Sequence, residues 1–175
     1  MSSEDFTWIK DKEKFHYIKQ YPNLCVPCSI ENILKYYDCN SFDQFSLAFI
    51  LVRLNKNFGF VGFKDILSHL LKDSFNFILK TNEDVDHDSP EKVFNFIKQI
   101  IKDEGIPVAV SFKSLDATGT PVESSAHIRI AIAYNDDEIL FFEQEPNLPD
   151  DKTFNLEQFK KHLKNDHHTL IIRKI

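Results

Sequence analysis

The sequence predicts an α+β domain, a helical first half packed on an antiparallel sheet from the second. Helical periodicity dominates from Cys25 to Asp103, whereas from Ile106 onward short β-rich runs alternate with turn signals. The length of 175 residues, with 42% hydrophobic and 27% charged side chains, suits one domain with a sizeable core. The expected organisation is a single domain over 1–175, its helical half about 23–104 and its sheet half about 105–175.

Each element has a local reason. Phe15 to Ile18 reads as a short strand that Pro22-Asn23 breaks. Val26, Ile30, Ile33, Leu34 and Tyr37 then recur on one face of a buried helix, with Cys25 at its start and off that stripe. Ser41 or Asp43 can cap a second helix through Leu54, and Phe63 to Leu71 suggests a third, with Asn55 to Gly59 as the loop between them. Ser74 to Leu79 alternates like a strand, and Asn82 to Asp88 is an acidic solvated loop. Ser89-Pro90-Glu91 opens a helix that runs through Asp103 and ends at Gly105. Ile106 to Phe112 is β-rich, Lys113 to Ser125 reads as a polar loop, and His127 begins the next strand. His127 to Tyr134 and Ile139 to Phe142 flank Asn135-Asp136-Asp137-Glu138 and should pair as an antiparallel hairpin. A helix over Asn155 to Leu163 and a strand over Thr169 to Ile172 complete the chain.

Composition removes several functions. The net charge is −6, and only three of the basic residues are Arg (Arg53, Arg129, Arg173), which argues against nucleic acid as a partner. The four glycines form neither GxGxxG nor GxxxxGK[ST], so no nucleotide cofactor is expected, nor any other. Leu47 to Val52 is too short to span a bilayer, so no membrane partner is expected. The N-terminus lacks an apolar signal core, which points to the cytoplasm or to export without a cleavable signal. Three cysteines (Cys25, Cys28, Cys39) do not suggest a disulfide framework.

The chemistry concentrates at Cys25 and His127. A cysteine at a helix start feels the positive end of the helix dipole, which favours a thiolate of lowered pKa and hence a nucleophile. The segment Gln20-Tyr-Pro-Asn-Leu-Cys25-Val-Pro-Cys-Ser-Ile-Glu-Asn-Ile-Leu-Lys-Tyr36-Tyr37 resembles the Cys-box of papain-like cysteine peptidases of the bacteriocin-processing (double-glycine leader) type. The resemblance extends through Gly105-Ile-Pro-Val-Ala-Val, through His127-Ile-Arg-Ile-Ala-Ile-Ala-Tyr, and through Ile139-Leu-Phe-Phe-Glu-Gln-Glu145-Pro146. It implies a papain-like fold and thiol-dependent cleavage of a peptide or isopeptide bond in a protein or peptide substrate. Deamidation or transamidation of Gln would use the same groups.

Under that resemblance Cys25 is the nucleophile, His127 its proton-transfer partner and Gln20 an oxyanion donor. The third member would accept a hydrogen bond from the imidazole, and both Glu143 and Glu145 are candidates. Register after His127 favours Glu143, whereas the adjacent Pro146 favours Glu145; a spacing of two puts both on one face of an extended strand. Two other readings use the same residues: a dithiol oxidoreductase working through Cys25 and Cys28, and an inactive papain-like interaction module. A zinc site built from Cys25, Cys28 and two of Cys39, His167 and His168 has only one CxxC pair behind it, and no metal is expected.

Overall fold

The computed structural model describes residues 5–54, 59–115 and 120–175. The chain runs through β1 (Thr7–Trp8), α1 (Cys25–Tyr36), α2 (Gln44–Arg53), α3 (Phe60–Leu70), β2 (Phe75–Thr81) and α4 (Pro90–Glu104). It continues through β3 (Val108–Leu115), β4 (Pro121–Tyr134), β5 (Glu138–Glu143), β6 (Asp151–Asn155), α5 (Leu156–His162) and β7 (His168–Lys174). The strands form one antiparallel sheet in the order β2-β7-β3-β4-β5-β6, with β1 added beside β4. This is the expected α+β class.

The helices start where their sequences supply a cap. Asp43 accepts from Ser46 N and closes a reciprocal capping box at α2, Ser89 caps α4 with Pro90 in its first turn, and Asn155 does for α5 what Asp43 does for α2. Gly105 ends α4 in the left-handed region, at φ 66°. Its carbonyl accepts from Lys10 N at 2.7 Å and from the Tyr36 hydroxyl, and a Cβ there would lie 2.5 Å from Lys10 Cγ. Glycine is therefore required for both backbone and space.

α1 is buried on almost every side, with Cys28, Ile30, Ile33 and Leu34 inaccessible, and packs against β4 and α2. The apolar stripe read from the sequence is thus real but understates the burial. α4 also packs against β4, and α3 lies on β2. Phe112, Phe141, Phe154 and Phe159 form one aromatic cluster linking β3, β5, β6 and α5.

Several expectations change. Phe15–Ile18 is not a strand: a 3-10 turn at Lys12–Lys14 precedes it, Tyr17 takes φ 53°, and side chains replace a ladder. Asn32 Oδ1 accepts from Ile18 N and Asn32 Nδ2 donates to Ile18 O. The expected loop 113–125 is largely the continuation of β3 and β4, so His127 lies inside β4 rather than at its start. Cross-strand pairing overrides the polar composition there. Residues 116–119 of that loop, and 55–58 of the loop after α2, lie outside the described residues. Strand β6 has no counterpart in the sequence reading, because Asp151-Lys152-Thr153 carries no clear alternation. Among the described residues no helix is long and apolar enough to cross a membrane.

Candidate active site

Cys25 opens α1. The cap residue Leu24 offers no side-chain acceptor, Asn23 takes φ 63°, and the first turn holds no acid. The helix-start N–H groups are left to act on the thiol. Burial nevertheless dominates and pushes the Cys25 thiol up, the backbone N–H groups of Val26, Ile128 and Cys25 pull it down, and the Glu145 carboxylate adds to the rise. The lowered pKa expected from the helix start is thus reversed in the free site, because desolvation of a thiolate outweighs a partial dipole charge.

His127 reaches the same place from β4. Its Nε2 is hydrogen-bonded to Glu143 Oε1, and Glu143 Oε2 accepts from Arg129 Nε at 2.8 Å. Glu145 N donates to Glu143 Oε1 at 3.0 Å. Strand pairing sets Arg129 opposite Glu143. His127 and Arg129 stand two apart on β4 and point to one side, so one carboxylate can serve both. Burial would raise Glu143, but the His127 hydrogen bond, the Arg129 charge and the Glu145 N–H outweigh it and draw the carboxyl down to about 2. Arg129 is 1% exposed, and its guanidinium lies 5.1 Å from the Phe112 ring and 5.5 Å from the Phe154 ring.

Glu145 has a different partner. Its Oε2 accepts from Gln20 Nε2 at 2.8 Å, while Gln20 Oε1 is buried with no partner among the described residues. Gln20 is fixed by backbone and side chains around it: Gln20 N donates to Gln144 O, Tyr21 N to Gln44 Oε1, and Gln44 Nε2 to Lys19 O. Gln20, Cys25, His127, Glu145, Pro146 and Asn147 all line one cleft of about 530 Å³. The structure therefore gathers all five sequence-derived site residues, with Glu143 on the imidazole and Glu145 on the amide.

Two contributors escaped the sequence reading. Arg129 was visible only as the i+2 neighbour of His127, a signal that strand alternation could have exposed. Lys19 donates to the carbonyls of Glu143, Glu145 and Leu148 and pairs with Asp150 at 3.0 Å, which ties down the loop carrying Glu145. No local pattern announces it.

Cys28 lies in a different environment. Cys28 is fully buried, its Sγ–H donates to Ile18 O at 3.2 Å, and burial pushes the thiol far up. All three cysteines are free. Among the described residues no three His, Cys, Asp or Glu side chains come together as metal ligands. His167 instead bonds Lys164 O and His87 O.

Residues 12–169 match the model of the Peptidase_C39 like family, and that span covers most of the chain. The chain belongs to this family. Among solved structures, a chain from Bacillus anthracis described as a C39-like peptidase is similar at a TM-score of 0.59, with 14% identity over 96% of this chain and 98% of that one. No curated protein matches. Membership of the Peptidase_C39 like family makes the fold papain-like and the chain a cysteine peptidase-like protein.

Proposed function

We propose that this chain cleaves a peptide or isopeptide C–N bond by thiol-dependent acyl transfer, with Cys25 as nucleophile, His127 as proton carrier and Glu143 as its orienting acid. The observation that carries the reading is the Glu143 hydrogen bond to Nε2 of an imidazole that lines the Cys25 cleft. With the Nε2 proton held by an ionised Glu143, Nδ1 is the lone-pair nitrogen left for the thiol.

Burial pushes the Cys25 thiol up, so its proton has to leave for the sulfur to act as nucleophile. His127 takes the Cys25 proton as the sulfur attacks the acyl carbon. The oxyanion is met by the backbone N–H at the start of α1 and by the Gln20 amide once that amide leaves Glu145. The C–N bond breaks, the imidazolium protonates the departing amine, and a thioester remains on Cys25. Water, deprotonated by His127, then releases the carboxylic acid and restores the thiol. A Gln side chain as acyl donor would release ammonia, which is deamidation, and an amine in place of water would give transamidation.

The inactive interaction module draws on one observation, the commitment of Gln20 to Glu145. A peptidyl vinyl sulfone separates the two readings. Labelling of Cys25 in the native protein, lost on unfolding and in His127→Ala, supports the enzyme. Equal labelling of native and unfolded protein, or labelling indifferent to His127, supports the module.

A further inference from the structure

We infer that Glu145 is a specificity residue, by which the Cys25 cleft recognises a positively charged group, such as a protonated amine, on its acyl donor. The donor part of this inference rests on the acyl-transfer reading; the recognition of a cation does not.

Among the described residues, the charges of the site pair off except for one. Arg129 neutralises Glu143 through an Nε hydrogen bond at 2.8 Å, and an imidazolium at His127 would neutralise a thiolate at Cys25. Glu145 is left over. Among the described residues its carboxylate meets no cation, and the only side-chain partner of that carboxylate is the neutral amide of Gln20. The nearby Lys19 ammonium is already held by three backbone carbonyls and by Asp150. Along with Cys25, His127 and Gln20, the cleft walls are formed by Pro22, Asn23, Ser114, Ala126, Pro146 and Asn147, which bring no positive charge.

An unbalanced carboxylate beside a nucleophile opposes two things, ionisation of the thiol and negative charge on the attacked carbonyl. A cation delivered by the substrate removes both penalties. It also gives Glu145 a stronger partner than a neutral amide, because charge-assisted hydrogen bonds exceed neutral ones. Gln20 Nε2 is then released toward the oxyanion. A neutral or anionic donor leaves the carboxylate on Gln20 and the amide withheld. One residue thus links recognition of charge to completion of the oxyanion site.

The test reads Cys25 directly by mass spectrometry. The protein is treated at pH 7 with trimethylammonioethyl methanethiosulfonate (cationic) and with sulfonatoethyl methanethiosulfonate (anionic). In both reactions the thiolate forms a mixed disulfide and methanesulfinate departs. Each rate is divided by that of mercaptoethanol with the same reagent. The normalised cationic-to-anionic ratio should be well above one in the wild type and fall about tenfold in Glu145→Gln, which keeps a hydrogen-bond acceptor for Gln20 but loses the charge. Glu145→Ala should give the same fall, and 1 M salt should compress the wild-type ratio. A ratio near one in the wild type, or an unchanged ratio in both variants, overturns the inference. Charge selectivity without any acyl transfer would uphold the recognition and sink the enzyme reading alone. Acyl transfer without charge selectivity would do the reverse.

Discussion

Arg129 and Glu143 face each other across the β4–β5 ladder, both 1% exposed, and the guanidinium Nε donates to the carboxylate at 2.8 Å. The same carboxylate holds His127. A buried carboxylate with one imidazole would tend to take up a proton, and a protonated acid would orient the ring less firmly. The buried arginine keeps the anion, and two aromatic faces keep the arginine. Arg129 is in this sense a positioning residue for His127.

Arg129→Met should therefore destabilise the fold by about 3–5 kcal/mol, because it strands a buried carboxylate. Arg129→Met combined with Glu143→Gln should recover part of that loss, which urea unfolding of the four proteins measures as a double-mutant cycle. Strict additivity would mean that the pair is not energetically coupled.

Glu143→Gln alone should leave Cys25 in place and reduce kcat/KM on a peptide substrate by about 10²–10⁴, the usual contribution of a positioned acid–base group. On a peptide without a positive charge, Glu145→Gln should not produce a loss of that size. If the two variants lose activity equally, Glu143 has no distinct claim to the imidazole.

The pH dependence of stability follows from the same carboxylate. Glu143 sits at about 2 when folded, against an ordinary value of 4.5, so the unfolded chain takes up its proton first as the solution is acidified. Its stabilising contribution is complete above about pH 4.5 and is lost as the pH falls toward about 2. His162, drawn down to about 4 by burial and then by Lys152, Arg129, Lys161 and Lys113, acts in the same direction between about pH 6.5 and 4. Melting temperatures should fall through both windows in the wild type, and Glu143→Gln should flatten only the lower one.

The fold was legible wherever period and punctuation agree. The stripe from Val26 to Tyr37, the Ser89-Pro90 start and Gly105 stop of α4, and the acidic turn before β5 each gave the right element, because each is decided locally. The failures share a cause. Tyr17 in the left-handed region and the Asn32 clasp on Ile18 depend on a helix that lies elsewhere in sequence. The long arms of β3 and β4 depend on each other, and β6 depends on β5. At the site, Gln20, Cys25, His127, Glu143 and Glu145 could be named from the sequence, but which glutamate meets the imidazole and which the amide could not. Those contacts are fixed by the register Arg129–Glu143 and by Gln20 reaching Glu145, both long-range.

Lys19 offers a test of the cleft wall that leaves the proposed chemistry untouched. Its ammonium fastens the backbone at Glu143, Glu145 and Leu148 and the Asp150 carboxylate. Lys19→Met keeps most of the aliphatic stem and removes the fastening. Hydrogen exchange across 144–150 should quicken by about tenfold or more, and KM should rise more than kcat falls. Unchanged exchange in that loop would show that the backbone holds itself.

Cys28→Ser separates acyl transfer from dithiol chemistry. Cys28 is fully buried three residues into α1, its Sγ–H donates to Ile18 O, and Asn32 Nδ2 lies 3.5 Å from the sulfur. A hydroxyl can make the same donation, so the loop that carries Gln20 should stay attached. The cost is a smaller atom in a packed site and a buried polar group, about 1 kcal/mol, or a fall of roughly 2–4 °C in Tm for a chain of this size. Vinyl sulfone labelling of Cys25 and peptide cleavage should persist within about threefold. A dithiol mechanism has no such tolerance, because the second sulfur must resolve the mixed disulfide. Abolished labelling with Tm preserved, together with a reversible Cys25–Cys28 disulfide in the wild type, would move the function from acyl transfer to redox exchange.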